Sequence, residues 1–179
     1  MTVGEVAAGV DMEWRRRVKA GAVALWPALA VLALAVLLQA RGSLADDVSW
    51  LITLSEKTLD GQRPYVDFIE VNPPASIFLY LPAVALARLL GVAPEFMVSL
   101  FCFLSIAASL VLCALALRHS PLIDKIGPVG LASALAVIAI LPAHVFAQRE
   151  HLAVITCLPF FAVLAARASN AKIDGAVRA

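Results

Sequence analysis

Ala75-Ser76-Ile77-Phe78-Leu79-Tyr80-Leu81-Pro82-Ala83-Val84-Ala85-Leu86-Ala87-Arg88-Leu89-Leu90 is the stretch on which the topology turns. As a helix it would reach only ~24 Å at ~1.5 Å per residue, against a hydrocarbon core of ~30 Å, and Pro82 and Arg88 interrupt it. Laid in the membrane interface, it leaves four other apolar segments to cross. Counted as a span, it makes five and moves everything downstream to the opposite side.

That a membrane is involved follows from composition. Of 179 residues, 62% are apolar and 15% charged, with a mean hydropathy of +0.91, which is too little polar surface to coat a soluble domain. A net charge of +1 provides no basic patch able to neutralise several phosphates, so nucleic acid is excluded as a partner and membrane lipid is the partner implied. Cys102, Cys113 and Cys157 lie in apolar runs without CxxC or Cys/His spacing and read as small packing residues.

The segments flanking 75–90 set up the choice. Residues 1–19 form an N-terminus that ends in the basic run Trp14-Arg15-Arg16-Arg17-Val18-Lys19, and the uncharged 20–38 follows as a first span. A cleaved signal peptide is the alternative, but the apolar run exceeds the usual h-region of about 7–15 residues. Further spans are predicted over 96–117, 126–146 and 152–166, with a tail at 167–179. With 75–90 in the interface, nine of the 14 cations (Arg15, Arg16, Arg17, Lys19, Arg118, Lys125, Arg167, Lys172, Arg178) fall on the cytoplasmic side. A crossing at 75–90 would move the last five outside, against the positive-inside bias. The expected fold is therefore an all-α polytopic bundle with four spans and both ends cytoplasmic.

Residues 39–95 then form a large first outer loop, and its stretch 46–74 holds six of the 13 acids. Val48, Leu51 and Leu54 recur at near-helical spacing, predicting a short amphipathic helix over about 46–58 with Trp50 at headgroup depth. Gly61 would end this helix, and Ser43 or one of the aspartates would cap it.

Three polar groups stand out. Asp46-Asp47 just outside the first span could supply a general base, a metal ligand or a helix cap. Glu70-Val71-Asn72-Pro73-Pro74 reads as a helix-start signal with Asn72 capping, which leaves Glu70 beside an apolar interface unexplained. Gln148-Arg149-Glu150-His151 is a polar knot between apolar runs, where charge is costly unless paired or wet; an arginine fork there suits a lipid-linked phosphate. In the four-span arrangement all three lie on one side. The scattered Asp46, Asp47, Glu70, Glu150 and His151 make no compact metal motif, and phosphate-loop, Ser-His-Asp and dinucleotide signatures are missing.

The ordered set, namely a basic start, a span, an acid at Asp46 or Asp47, Gly61-x-Arg63-Pro64-Tyr65-x-Asp67, Glu70-x-Asn72-Pro73-Pro74 and Arg149-Glu150-His151, resembles the N-terminal part of the GT-C superfamily of membrane glycosyltransferases. That superfamily includes the protein O-mannosyltransferases and bacterial aminoarabinose transferases. The resemblance covers roughly residues 14–170. It implies a multi-pass protein of the bacterial inner membrane that transfers a sugar from a polyprenyl phosphate to an acceptor on the outer face. Asp47 or Asp46, with Asp47 favoured, would be the base, and Glu70 a second acid shaping the site or holding a divalent metal. Arg149 would contact phosphate, with Glu150, His151, Asn72, Arg63 and Tyr65 also binding substrate; no cofactor is firmly required. Because the family carries more spans, the resemblance also implies a missing C-terminal half or a membrane-protein partner. The alternative is a non-enzymatic four-span accessory or lipid-carrier flippase subunit.

Overall fold

The computed structural model describes residues 25–42 and 44–169. The basic run Trp14 to Lys19, the start of the first apolar segment, Ser43 and the tail from 170 lie outside the described residues. Everything described is helix, turn or loop, apart from one isolated bridge between Pro64 and Phe68. Helix α1 is Leu25–Arg41 and α2 is Asp46–Leu59. They are followed by α3, Ala75–Leu90, α4, Pro94–Leu117, α5, Pro121–Leu135, and α6, Arg149–Ala168.

Two helices, α4 and α6, are long and apolar enough to cross a membrane. A third candidate arises if α1 and α2, bent by 72°, are counted together. At ~1.5 Å per residue α4 reaches ~36 Å and α6 ~30 Å. Large apolar side chains on both, including Leu104, Val111, Phe160 and Phe161, are exposed, as suits a lipid-facing surface.

Helices α4 and α6 run parallel, in contact from end to end. Cys102 lies against His151, Ser109 donates to the Ile155 carbonyl (2.6 Å), and Ser120 meets Ser169 (2.9 Å). The middle contact has a covalent cause. Pro159 lacks the N–H that would bond Ile155 one turn back, and the Ser109 hydroxyl takes that carbonyl instead. Ala116 and Leu117 pack with Ala162 and Ala166 at the far end.

Between them the chain returns through α5. Gly127 breaks its first turns with φ 54° and ψ −171°, a conformation that needs glycine. Beyond this break the helix runs on and passes into a π-helical turn at Ala136–Ile140, a turn at Leu141-Pro142 and a 3-10 turn at Ala143–Val145. The sequence pattern predicts one helix over 126–146; Pro142, which has no N–H to continue the ladder, ends the regular part before then. Conversely, α6 starts at Arg149 rather than 152, so the polar residues expected in a loop form its first turn.

Helix α2 ends at Asp60-Gly61. Its N-cap is Ala45 without a side-chain bond, so Asp46 and Asp47 occupy the first turn instead of capping, where their charge complements the positive end of the helix dipole. Helix α3 begins after Pro73-Pro74 and stops at Gly91, which takes φ 67°. It packs on α2 through buried Val48, Leu51, Leu54, Ile77, Ala83 and Val84, and the Ser55 hydroxyl donates to the Ile77 carbonyl (3.2 Å).

Candidate functional site

Arg149 opens α6, where a cation faces the positive end of the helix dipole and works against the helix unless an anion answers it. The anion is Asp47, 102 positions earlier. Arg149 Nη2 donates to Asp47 Oδ2 at 3.2 Å and Oδ1 at 3.5 Å, and both side chains are about one-third exposed or less. Arg149 Nε is buried and has no hydrogen-bond partner among the described residues. Asp46 is exposed, and so is Glu150.

A second arrangement holds Arg149 in place. Ala147, two residues before it, is fully buried with φ 62°, a strained angle for a residue with a Cβ. Both its backbone groups are gripped by side chains: its N–H donates to His151 Nδ1 (3.1 Å), and its carbonyl accepts from the Tyr80 hydroxyl on α3 (2.8 Å). His151 Nε2 then donates to the Ile138 carbonyl (2.7 Å), which fixes the Nε2–H tautomer. That carbonyl is free because Pro142, four residues on, has no N–H. Both His151 nitrogens are therefore engaged, and the ring is buried against Phe146.

Glu70 lies in the loop between α2 and α3, and its carboxylate is buried. Trp50 Nε1 donates to Oε2 (2.6 Å), while Asn72 donates its backbone N–H (2.8 Å) and Nδ2 (2.6 Å) to Oε1. Burial alone would raise the pKa, but the donors from Asn72, Trp50 and the Val71 backbone outweigh it and hold the group below the ordinary glutamate value. Asn72 thus serves Glu70 rather than capping α3, whose N-cap is Pro74. With three of about four acceptor positions taken, Glu70 could coordinate a metal only by giving up these bonds. No group of three or more His, Cys, Asp or Glu suited to a metal occurs among the described residues.

The rest of this loop is folded on itself. Arg63 gives its backbone N–H (2.7 Å) and Nε (3.4 Å) to Asp67 Oδ2, and the Tyr65 hydroxyl donates to the Asn72 carbonyl. Lys57 sits 5.8 Å over the Trp50 ring and 5.9 Å over Phe68. The structure therefore brings Asp47 and Arg149 together, with Glu150 and His151 beside Arg149 in the first turn of α6. It gathers Glu70, Asn72, Tyr65 and Trp50 into a separate, internally bonded cluster.

Tyr80 is a further residue of this site, beyond those the sequence motifs single out. Its signal was a hydroxyl-bearing ring inside an otherwise apolar run, which needs a partner when buried. Pro142 and Pro159 likewise announced free carbonyls at 138 and 155, though not which side chain would find them.

Chemically, Asp47 can accept a proton and Arg149 can receive an anion at a helix N-terminus. The class defined by fold and site is a helical chain whose long apolar helices fit a membrane, with an acid and a guanidinium paired at the helix ends. No family model, curated protein or solved structure matches the chain.

Proposed function

We propose that the chain carries the outer-face catalytic centre of a GT-C type membrane glycosyltransferase, moving a sugar from a polyprenyl phosphate to an acceptor at a bacterial inner membrane. Helices α1, α4, α5 with its following turns, and α6 are the four spans in this reading, and α2 and α3 rest at the outer interface. The parallel run of α4 and α6 supports it. Asp47, Arg149 and Glu150 gather at one end, whereas Arg118 and Arg167 lie at the other, the expected cytoplasmic side.

One observation carries the proposal: Asp47 and Arg149, far apart in sequence, meet at the start of α6. Asp47 takes the proton of an acceptor hydroxyl as its oxygen bonds to the anomeric carbon. The bond from that carbon to the phosphate oxygen breaks, and polyprenyl phosphate departs with the electron pair. Arg149 meets the charge gained by the phosphate, and the α6 N-terminus reinforces it.

The test is release of polyprenyl phosphate from polyprenyl-phosphate sugars by the full chain in lipid nanodiscs, with Asp47→Asn as control. Release by the parent and its loss in the variant support the proposal; equal release by both defeats Asp47 as base. Topology has its own test. Single cysteines at positions 60, 90, 122 and 149, in a background without native cysteines, should react with an impermeant maleimide from outside at all positions except 122. Shared behaviour of 149 and 122 would divide the centre between compartments.

A further inference from the structure

A cleft of about 620 Å³ opens between α4, α5 and α6, a size suited to one small ligand. Leu110, Val137, Val154 and Leu158 make its walls, and Gln148 and Glu150 stand at one end. Among the described residues, Glu150 is the only carboxylate on the lining, and no arginine or lysine lines it. The one other ionisable group there, His151, has both nitrogens engaged. Among the described residues no hydrogen bond or ion pair engages the Glu150 carboxylate.

The cleft is on a different face of α6 from the Asp47 contact. At ~100° per residue, Val154 and Leu158 lie about 140° and 180° around the helix from Arg149. A ligand seated along these walls therefore presents its head to Glu150 and Gln148 and leaves the guanidinium to Asp47. The N-terminal end of α6 carries only about half a positive charge, less than the full negative charge of Glu150, so an anionic head would still meet a carboxylate at the rim, whereas an ammonium head would be paired there.

We infer that this cleft binds the hydrocarbon chain of a single amphiphile whose head is a primary ammonium, received by Glu150 with Gln148 beside it. The inference goes beyond the transfer reaction, because it concerns a second ligand of opposite charge on the opposite side of α6. It stands whether or not Asp47 is a base.

The probe is an alkylamine carrying a diazirine on its chain, photolysed with the full-length protein in phosphatidylcholine nanodiscs and mapped by peptide mass spectrometry. Labelling should saturate and concentrate on Val137, Val154 and Leu158. Unlabelled alkylamine should compete, alkyl phosphate of the same chain length should compete at least about tenfold more weakly, and Glu150→Gln should weaken the alkylamine about tenfold. Ala134→Phe, which narrows the cleft from α5, should abolish labelling there while Glu150 remains. Labelling spread equally over lipid-facing positions such as Val111 and Phe160, competition by alkyl phosphate as good as or better than that by alkylamine, or indifference to either substitution would overturn the inference. Glu150 is exposed, so its substitution leaves the fold intact, and the readout does not depend on sugar transfer.

Discussion

The loop between α2 and α3 and the start of α6 are both polar regions beside apolar helices, yet they treat their charges oppositely. In the loop, Glu70 is wrapped by Trp50 and Asn72, Arg63 is tied to Asp67, and Arg88 joins Asp60. At α6, Arg149 keeps a buried Nε that has no partner among the described residues, its cation sits at the unfavourable end of a helix, and Glu150 beside it is unpaired among those same residues. Saturated charges hold a conformation, whereas under-satisfied ones retain capacity for a ligand. In the proposed reaction this contrast favours Asp47 and Arg149 for the chemistry and Glu70 for holding the loop.

The hardest test of that division is to neutralise the acids one at a time. Asp47→Asn should lower sugar transfer by ~10²–10⁴-fold, the usual contribution of a general base, while Asp46→Asn, altering an exposed neighbour, leaves it within a few-fold. Glu70→Gln should reduce transfer much less than Asp47→Asn, measured as polyprenyl phosphate released per minute. A larger loss at Glu70 would reverse the assignment.

Next in size is the grip on Ala147. Tyr80→Phe leaves a buried carbonyl without its donor and should cost about 1–3 kcal/mol in denaturant unfolding from detergent micelles. His151→Ala should cost more, since it strands both the Ala147 N–H and the Ile138 carbonyl. If either variant unfolds like the parent, the turn before α6 is held by something else.

How much of this was legible follows from the kind of signal each feature sends. Double proline before and glycine after mark α3 in the sequence, and the acid-rich stretch after the first apolar segment marks where polar side chains gather. The start of α6 is hidden because Arg149, Glu150 and His151 look like loop residues when hydropathy alone is weighed, although Glu150 is well suited to a first helical turn. The positive φ of Ala147 and the π turn at Ala136–Ile140 carry no residue signature at their own positions. They arise from Pro142, His151 and Tyr80, two of which act from other helices, so only the folded chain brings cause and effect together. The cleft beside Val154 was invisible for the same reason, being made of ordinary apolar residues from three helices.

A smaller effect should appear with pH. Because the folded pKa of Glu70 lies below its ordinary value of 4.5, its stabilising bonds are fully present above that value and are lost as pH falls through the lower folded one. Thermal unfolding of the parent should therefore weaken on acidification below 4.5, and Glu70→Gln should flatten that part of the profile. Trp50→Phe should shrink the same pH dependence in part, because the Asn72 donors remain. An unchanged acid profile in Glu70→Gln would mean that other carboxylates govern it.

The smallest effect is expected where pairing is most obvious. Arg88 Nη1 meets Asp60 Oδ1 at 2.6 Å and Nη2 donates to the Glu56 carbonyl at 3.0 Å, closing the end of α2 with a residue from α3. The contact lowers the Asp60 pKa, first through its hydrogen bond, but the two side chains are 38% and 57% exposed, and water and salt screen such a pair. Arg88→Ala should therefore leave the melting temperature almost unchanged at 0.1 M salt or above, where the screening length is ~10 Å, and lower it detectably only in dilute buffer. Its diagnostic value lies in that salt dependence. A drop that persists at high salt would mean the pair is shielded from water, and α3 would then sit deeper in the bilayer than an interfacial helix does.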